Sequence, residues 1–182
     1  MVLTDKEIRQ LVKNRELITP FNEQKLQSES YDVSIGDRIT VFRKEIRCID
    51  ILEQSTVDSI YESLELGEEG YVISPKEYIL LSLLEEINLP ETITAHIRPK
   101  TRYTRLGLLV SAQHCNSTYS GRLSIGVFNA TEYPIRLRKG YPIAQLVFEE
   151  LAGIPTEGKQ YRNKKDSHYH KEDKLYPLSR TF

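Results

Sequence analysis

Hydrophobic periodicity changes once along this chain, and that change does most to restrict its fold. Thr4-Asp5-Lys6-Glu7 has the form of a capping box, and Ile8, Leu11 and Val12 follow at helical spacing, which predicts a helix over about 5–14. Beyond it, apolar residues recur in short runs separated by turn residues: 31–35, 39–43, 71–74, 78–84, 93–97, 107–112, 122–128, 135–138 and 143–148. A second short helix is predicted over 54–63, ahead of the acidic loop 65–69. Many short strands behind one leading helix do not supply the crossover helices of an alternating α/β fold. They call for a mainly β barrel or sandwich.

The 182 residues are enough for one domain and a tail. We place the domain at 1–153 and the tail at 154–182, where the sequence turns polar, mixed in charge and poor in aliphatic residues. Tyr161, Tyr169 and Tyr176 imply that this tail docks in part. A formal net charge of −1 lends no support to a general nucleic-acid or membrane-surface role. The N-terminus carries charges where a signal peptide needs an apolar run, and the longest apolar stretch, 79–84, is too short to span a bilayer. Cys48 and Cys115 lie outside any metal or redox spacing. They are expected to be two buried free thiols of a cytoplasmic protein.

Charge is unevenly placed. Arg98, Lys100, Arg102 and Arg105 fall in one short segment without an acid, where Pro99 marks the turn from a strand into a helical turn. Free N–H groups, Thr101 and the cations together suit a phosphate. The competing reading is a solvated face balanced by nearby glutamates. Arg136, Arg138 and Lys139 form a second basic group before Gly140. The chain has no Gly-rich phosphate loop, so any nucleotide would be held by side chains and strand ends.

Several ordered motifs resemble those of the dCTP deaminase and dUTPase superfamily. Thr101-Arg102-Tyr103-Thr104-Arg105-Leu106-Gly107-Leu108 is similar to the motif in which a basic residue and serines lead into Ala-Arg-Leu-Gly-Leu. Ser111-Ala112 resembles a Thr-Ala pair, and Asn116-Ser117-Thr118-Tyr119-Ser120-Gly121 an Asp-x-x-aromatic-x-Gly motif. Lys139-Gly140-Tyr141-Pro142-Ile143-Ala144-Gln145 and Ser30-Tyr31-Asp32-Val33 match two more. In the tail, Tyr161, His168-Tyr169 and Glu172 are spaced like a Tyr…Lys-Tyr…Gln lid over the triphosphate.

The resemblance implies a distorted, jelly-roll-like β-barrel of the dUTPase type with an N-terminal helix and short extra helices. It also implies a homotrimer with sites at subunit interfaces, and a deoxynucleoside triphosphate of the dCTP or dUTP type that carries Mg²⁺. The implied reaction is hydrolysis of dCTP to dUTP and ammonia. Thr101, Arg105 and the Ala112 carbonyl would hold base and water. Lys100, Arg102, Tyr161, His168 and Glu172 would serve the phosphates, and Asn116 and Tyr119 the sugar, with Gln145 completing the binding set. Zinc is not expected, because the His-x-Glu and Pro-Cys-x-x-Cys signature of zinc deaminases is missing.

Two positions depart from the pattern at the chemistry itself. Gly126 stands where the family has its strand glutamate, and Asn116 where it has an aspartate. Strand alternation puts Leu123, Ile125 and Val127 on one face and Gly126 on the other, polar one. His114 is a nearby titratable group, although a lone histidine is more often structural. The alternatives to dCTP deamination are a catalytically silent nucleotide-sensing trimer, a dUTPase-like pyrophosphatase, and a base pocket enlarged at Gly126 for a modified pyrimidine.

Overall fold

The computed structural model describes residues 1–43, 48–50, 59–164 and 169. Helix α1 (Asp5–Arg15) begins where the capping box predicts, with Thr4 N donating to Glu7 Oε2 at 2.9 Å. It ends at Glu16, whose left-handed backbone (φ 52°) turns its N–H back to Val12 O.

Among the described residues eleven strands follow: β1 (Ile18–Thr19), β2 (Tyr31–Phe42), β3 (Tyr61–Glu65), β4 (Tyr71–Ile73), β5 (Tyr78–Asn88), β6 (Ile93–Pro99), β7 (Leu108–Val110), β8 (Gln113–Cys115), β9 (Ser120–Asn129), β10 (Ile135–Leu137) and β11 (Pro142–Glu150). A one-and-a-half-turn helix, α2 (Thr101–Leu106), joins β6 to β7. The main sheet runs β7-β9-β5-β2-β11-β6-β8, with β1 on β5 and β3 on β2; β10 and β4 pair separately. Every pairing is antiparallel. The expected mainly β architecture is therefore what the chain adopts.

Strand β2 curls the sheet. Its first residues, Tyr31 to Ser34, pair with β11, and its later ones pair with β5 and β3. The bend is at Gly36, where a Cβ would lie 2.7 Å from Ser82 Oγ and 2.8 Å from the Ser82 and Leu83 carbonyl oxygens. Only glycine lets β2 and β5 come this close. Register slips between Ile35 and Ile39. The Ser82 hydroxyl fills the gap, accepting from Arg38 N (3.2 Å) and donating to Arg38 O (3.1 Å). A second slip, between Ser82 and Glu86, leaves Glu85 buried beneath the sheet. There it accepts from Ser34 N (2.9 Å) and Lys25 Nζ (2.7 Å), so a carboxylate replaces the missing ladder bond. Inside the curl, Val33, Ile39, Ile79, Leu81, Ile97, Ile125, Val127, Leu146 and Phe148 are buried, as period-two alternation requires.

Some expectations change. The runs 31–35 and 39–43 are one strand, because the polar break at Gly36 and Asp37 is a bend and not a turn. Strands β1, β3 and β8 were not expected. The helix predicted over 54–63 falls partly on 51–58, outside the described residues, and its last residues lie in β3. There, mostly exposed residues pair along the outside of β2, so no apolar period marks them. Cys115 is buried, which pushes its thiol up to about 12, but Cys48 is exposed on the connection after β2, contrary to expectation. Among the described residues, no helix is long and apolar enough to cross a membrane.

Candidate functional site

Strand β9 carries the position of greatest interest. Cross-strand pairing sets Gly126 opposite Leu80 and Phe128 opposite Tyr78, confirming that Gly126 faces away from the Leu123–Ile125–Val127 core side. On its other edge, β9 meets β7 up to Val110 and Val127. Ser111 then extends the contact: Ser111 N donates to Gly126 O at 2.8 Å, and Gly126 N donates to Ser111 Oγ at 2.9 Å. Thus Ser111 and Gly126 are brought together, with Ala112 next along the chain.

The space over Gly126 is not open. A Cβ built there would lie 2.0 Å from Tyr78 Oη, 2.7 Å from Cζ and 2.9 Å from Cε2. Tyr78 reaches diagonally across the strand pair, and its ring meets Phe42 edge-on with centroids 5.6 Å apart. In this structure the Tyr78 phenol, and not an enlarged base pocket, occupies the space left by the missing side chain. The glycine is the space that Tyr78 fills. Beyond this point the chain leaves β9, β8 pairs with β6, and the Gln113 carboxamide bridges the gap by donating to Ser124 O at 3.0 Å.

Asn116 opens the turn into β9. It is exposed, and its carbonyl accepts from Tyr119 N at 3.2 Å. Tyr119 is buried, with its hydroxyl donating to Arg122 O at 3.0 Å. The tail packs on this turn: the Tyr161 ring lies 5.7 Å from that of Tyr119, and Arg162 N donates to Thr118 Oγ1 at 3.1 Å. Arg162 also pairs with Glu91, and Tyr169 N donates to Tyr161 Oη at 3.3 Å. Asn116, Tyr119 and Tyr161 thus form one cluster. His168 and Glu172 lie outside the described residues. His114 is exposed and sits beside His96, away from Gly126's hydrogen-bond partners.

The basic segment makes a third group. Thr101, Arg102 and Arg105 are exposed on α2, of which no residue is buried. Lys100 is engaged: its Nζ lies 2.5 Å from Asp32 Oδ2. Gln145 on β11 pairs across the sheet with Asp32 on β2 and Arg98 on β6, so these residues form a row leading to Lys100. Tyr103 Oη ties α2 to the Pro142 carbonyl at 2.8 Å. Arg98, Arg102 and Arg105 pair with no carboxylate among the described residues. The second basic group is occupied structurally. Arg136 and Arg138 donate to the Glu69 and Glu68 carbonyls, and Lys139 pairs with Asp37 at 3.6 Å.

Sequence reasoning missed Tyr78, Gln113 and the Asp32–Lys100 pair. Each acts across strands distant in sequence, and the one available signal was a lone glycine inside a strand pattern.

The curled antiparallel sheet, with the exposed basic α2 and the β8–β9 turn at its edge, is a mainly β fold of the dUTPase-like type. The model of the dCTP deaminase-like family matches residues 2–151, and the chain belongs to that family. It is 37% identical over 158 residues to a dCTP deaminase, dUMP-forming, of Hydrogenobaculum sp. (strain Y04AAS1), covering 86% of each chain. It is 33% identical to a protein of the same name from Nanoarchaeum equitans (strain Kin4-M), covering 93% of this chain and 92% of that one. Among solved structures it resembles the 2′-deoxycytidine 5′-triphosphate deaminase of Agrobacterium tumefaciens, with a TM-score of 0.66 and 19% identity. That likeness is one of fold, and covers 83% of this chain and 48% of the other.

Proposed function

We propose that this protein binds a magnesium-bound pyrimidine deoxynucleoside triphosphate of the dCTP or dUTP type. It converts dCTP to dUTP and ammonia far more slowly than a relative that carries the strand glutamate. One observation carries this reading: Gly126 offers no side chain, and a phenol occupies the space above it. Deamination adds water at C4, moves a proton to N3 and breaks the C4–N4 bond, releasing the nitrogen with its electron pair as ammonia. Loss of a positioned acid–base group costs about 10²–10⁴ in rate. Thr101, Arg105 and the Ala112 carbonyl remain to hold base and water. Arg102, Tyr161 and His168 serve the phosphates, with Lys100 held by Asp32 at the start of the segment, Asn116 and Tyr119 the sugar, and Gln145 the strand end beneath them.

The product keeps its triphosphate. The relatives named above are dUMP-forming by name, but Asn116 cannot act as a base toward a phosphate-attacking water. Association as a homotrimer completes the site. In support, α2 buries none of its residues in the single chain, and Leu106 and Leu109 are 53% and 48% exposed. The 154–182 tail is the lid, and its described part already packs on the Tyr119 turn.

A second reading, a silent nucleotide-sensing trimer, is favoured by the joint replacement of both carboxylates. Thermal shift with dCTP, dUTP, dTTP and dATP in the presence of Mg²⁺, run beside an ammonia assay, tests both. Stabilisation by dCTP or dUTP with slow ammonia release supports the first reading. Binding with no ammonia supports the second, and no pyrimidine stabilisation overturns both.

A further inference from the structure

We propose that Tyr78 is the specificity-determining residue of the nucleotide site, its hydroxyl meeting the 4-position of the pyrimidine where the family presents a carboxylate. The inference rests on the nucleotide site proposed above. Its basis is an accounting of what position 126 can offer a ligand. The Gly126 N–H and carbonyl are both taken by Ser111, at 2.9 and 2.8 Å. The position has no side chain. Among the described residues the group that covers the position is Tyr78 Oη, which stands where the first atom of a glutamate side chain would otherwise lie.

Three further features fit a ligand-facing phenol. The hydroxyl has no hydrogen-bond partner among the described residues, whereas the Tyr71 and Tyr103 hydroxyls elsewhere in the fold both donate, to Glu77 and to the Pro142 carbonyl. The ring is held in place by Phe42 and is 41% exposed. Burial raises the Tyr78 phenol, so it stays protonated at neutral pH.

Exchanging a carboxylate for a phenol changes what can be read. An ionised carboxylate only accepts, so it favours the 4-amino donor of cytosine. A phenol both donates and accepts by rotating its proton, so it can meet either the 4-amino group or the 4-oxygen of uracil. The site should therefore have lost most of its discrimination between the two bases.

Calorimetric titration of the full chain with Mg²⁺-dCTP and Mg²⁺-dUTP tests this, using wild type and Tyr78→Phe. The proposal expects the two nucleotides to bind wild type within about threefold of each other, and Tyr78→Phe to weaken both by about threefold to tenfold. Should Tyr78→Phe fold poorly, Gly126→Ala, whose methyl would displace the phenol end, must weaken both nucleotides similarly. Wild-type preference for one base beyond tenfold, or binding unchanged in a folded variant, overturns the assignment while leaving the nucleotide site standing. Failure of wild type to bind either nucleotide overturns the site itself.

Discussion

Lys100 Nζ lies 2.5 Å from Asp32 Oδ2, which ties the residue before α2 to a strand 68 positions earlier in the chain. Both side chains are largely buried, so the pair fixes the start of the basic segment relative to the β2–β11 ladder. It also neutralises one of the cations there and leaves Arg98, Arg102 and Arg105 without acidic partners among the described residues.

Removing one member of such a pair strands the other. Asp32→Asn is expected to lower stability by about 3 kcal/mol in urea denaturation. Lys100→Met combined with Asp32→Asn should cost clearly less than the sum of the two single changes. Additive losses would show that the pair contributes nothing as a pair.

Alkaline pH should unfold the protein. Burial pushes the Cys115 thiol and the Tyr31 phenol each up to about 12, and Tyr71 is raised further by burial and by Glu77. These groups hold their protons more tightly when folded. Their contribution is complete below the unfolded values of 9 to 10 and is lost as pH climbs toward 12. Melting temperature should fall steadily above about pH 9.5, and the late-titrating tyrosines should ionise together with the loss of structure. Reversible ionisation of every tyrosine near pH 10 in a folded protein would contradict this.

The two thiols should react separately. Cys48 is exposed and Cys115 is buried, so a thiol reagent at pH 8 should modify one cysteine of the native chain quickly and the second only on denaturation. Two equally fast thiols would contradict the burial of Cys115.

Much of this fold could be read from residue patterns, and the reasons differ by element. Helix α1 carries its own start signal in Thr4 and Glu7. Strands β5, β9 and β11 alternate because one face meets the core. Strand β3 could not be recognised, since Glu62, Ser63 and Glu65 are exposed and pair along β2 without an apolar alternation. For the site, the motifs placed Ser111, Ala112 and Gly126 together, and Asn116 with Tyr119. What covers Gly126 depended on a pairing between Tyr78 and Phe128, residues fifty positions apart, that no local pattern encodes. Alternation marked the right face, but tertiary packing determined what stands on it.

Restoring the glutamate alone should fail. Gly126→Glu drives its Cβ into Tyr78 and should cost about 1–3 kcal/mol without raising ammonia release. With Tyr78→Ala to clear the space, Gly126→Glu should raise the rate of deamination by about 10²–10⁴. Full recovery from Gly126→Glu alone, with Tyr78 intact, would show that the phenol moves aside freely.

The most direct measurement follows dCTP itself. Purified protein is incubated with Mg²⁺-dCTP, and bound nucleotide, ammonia and the nucleotide products are measured on one sample. Our account predicts saturable binding, slow ammonia release and dUTP as the product. Fast conversion to dUMP, or no binding of dCTP at all, would contradict it.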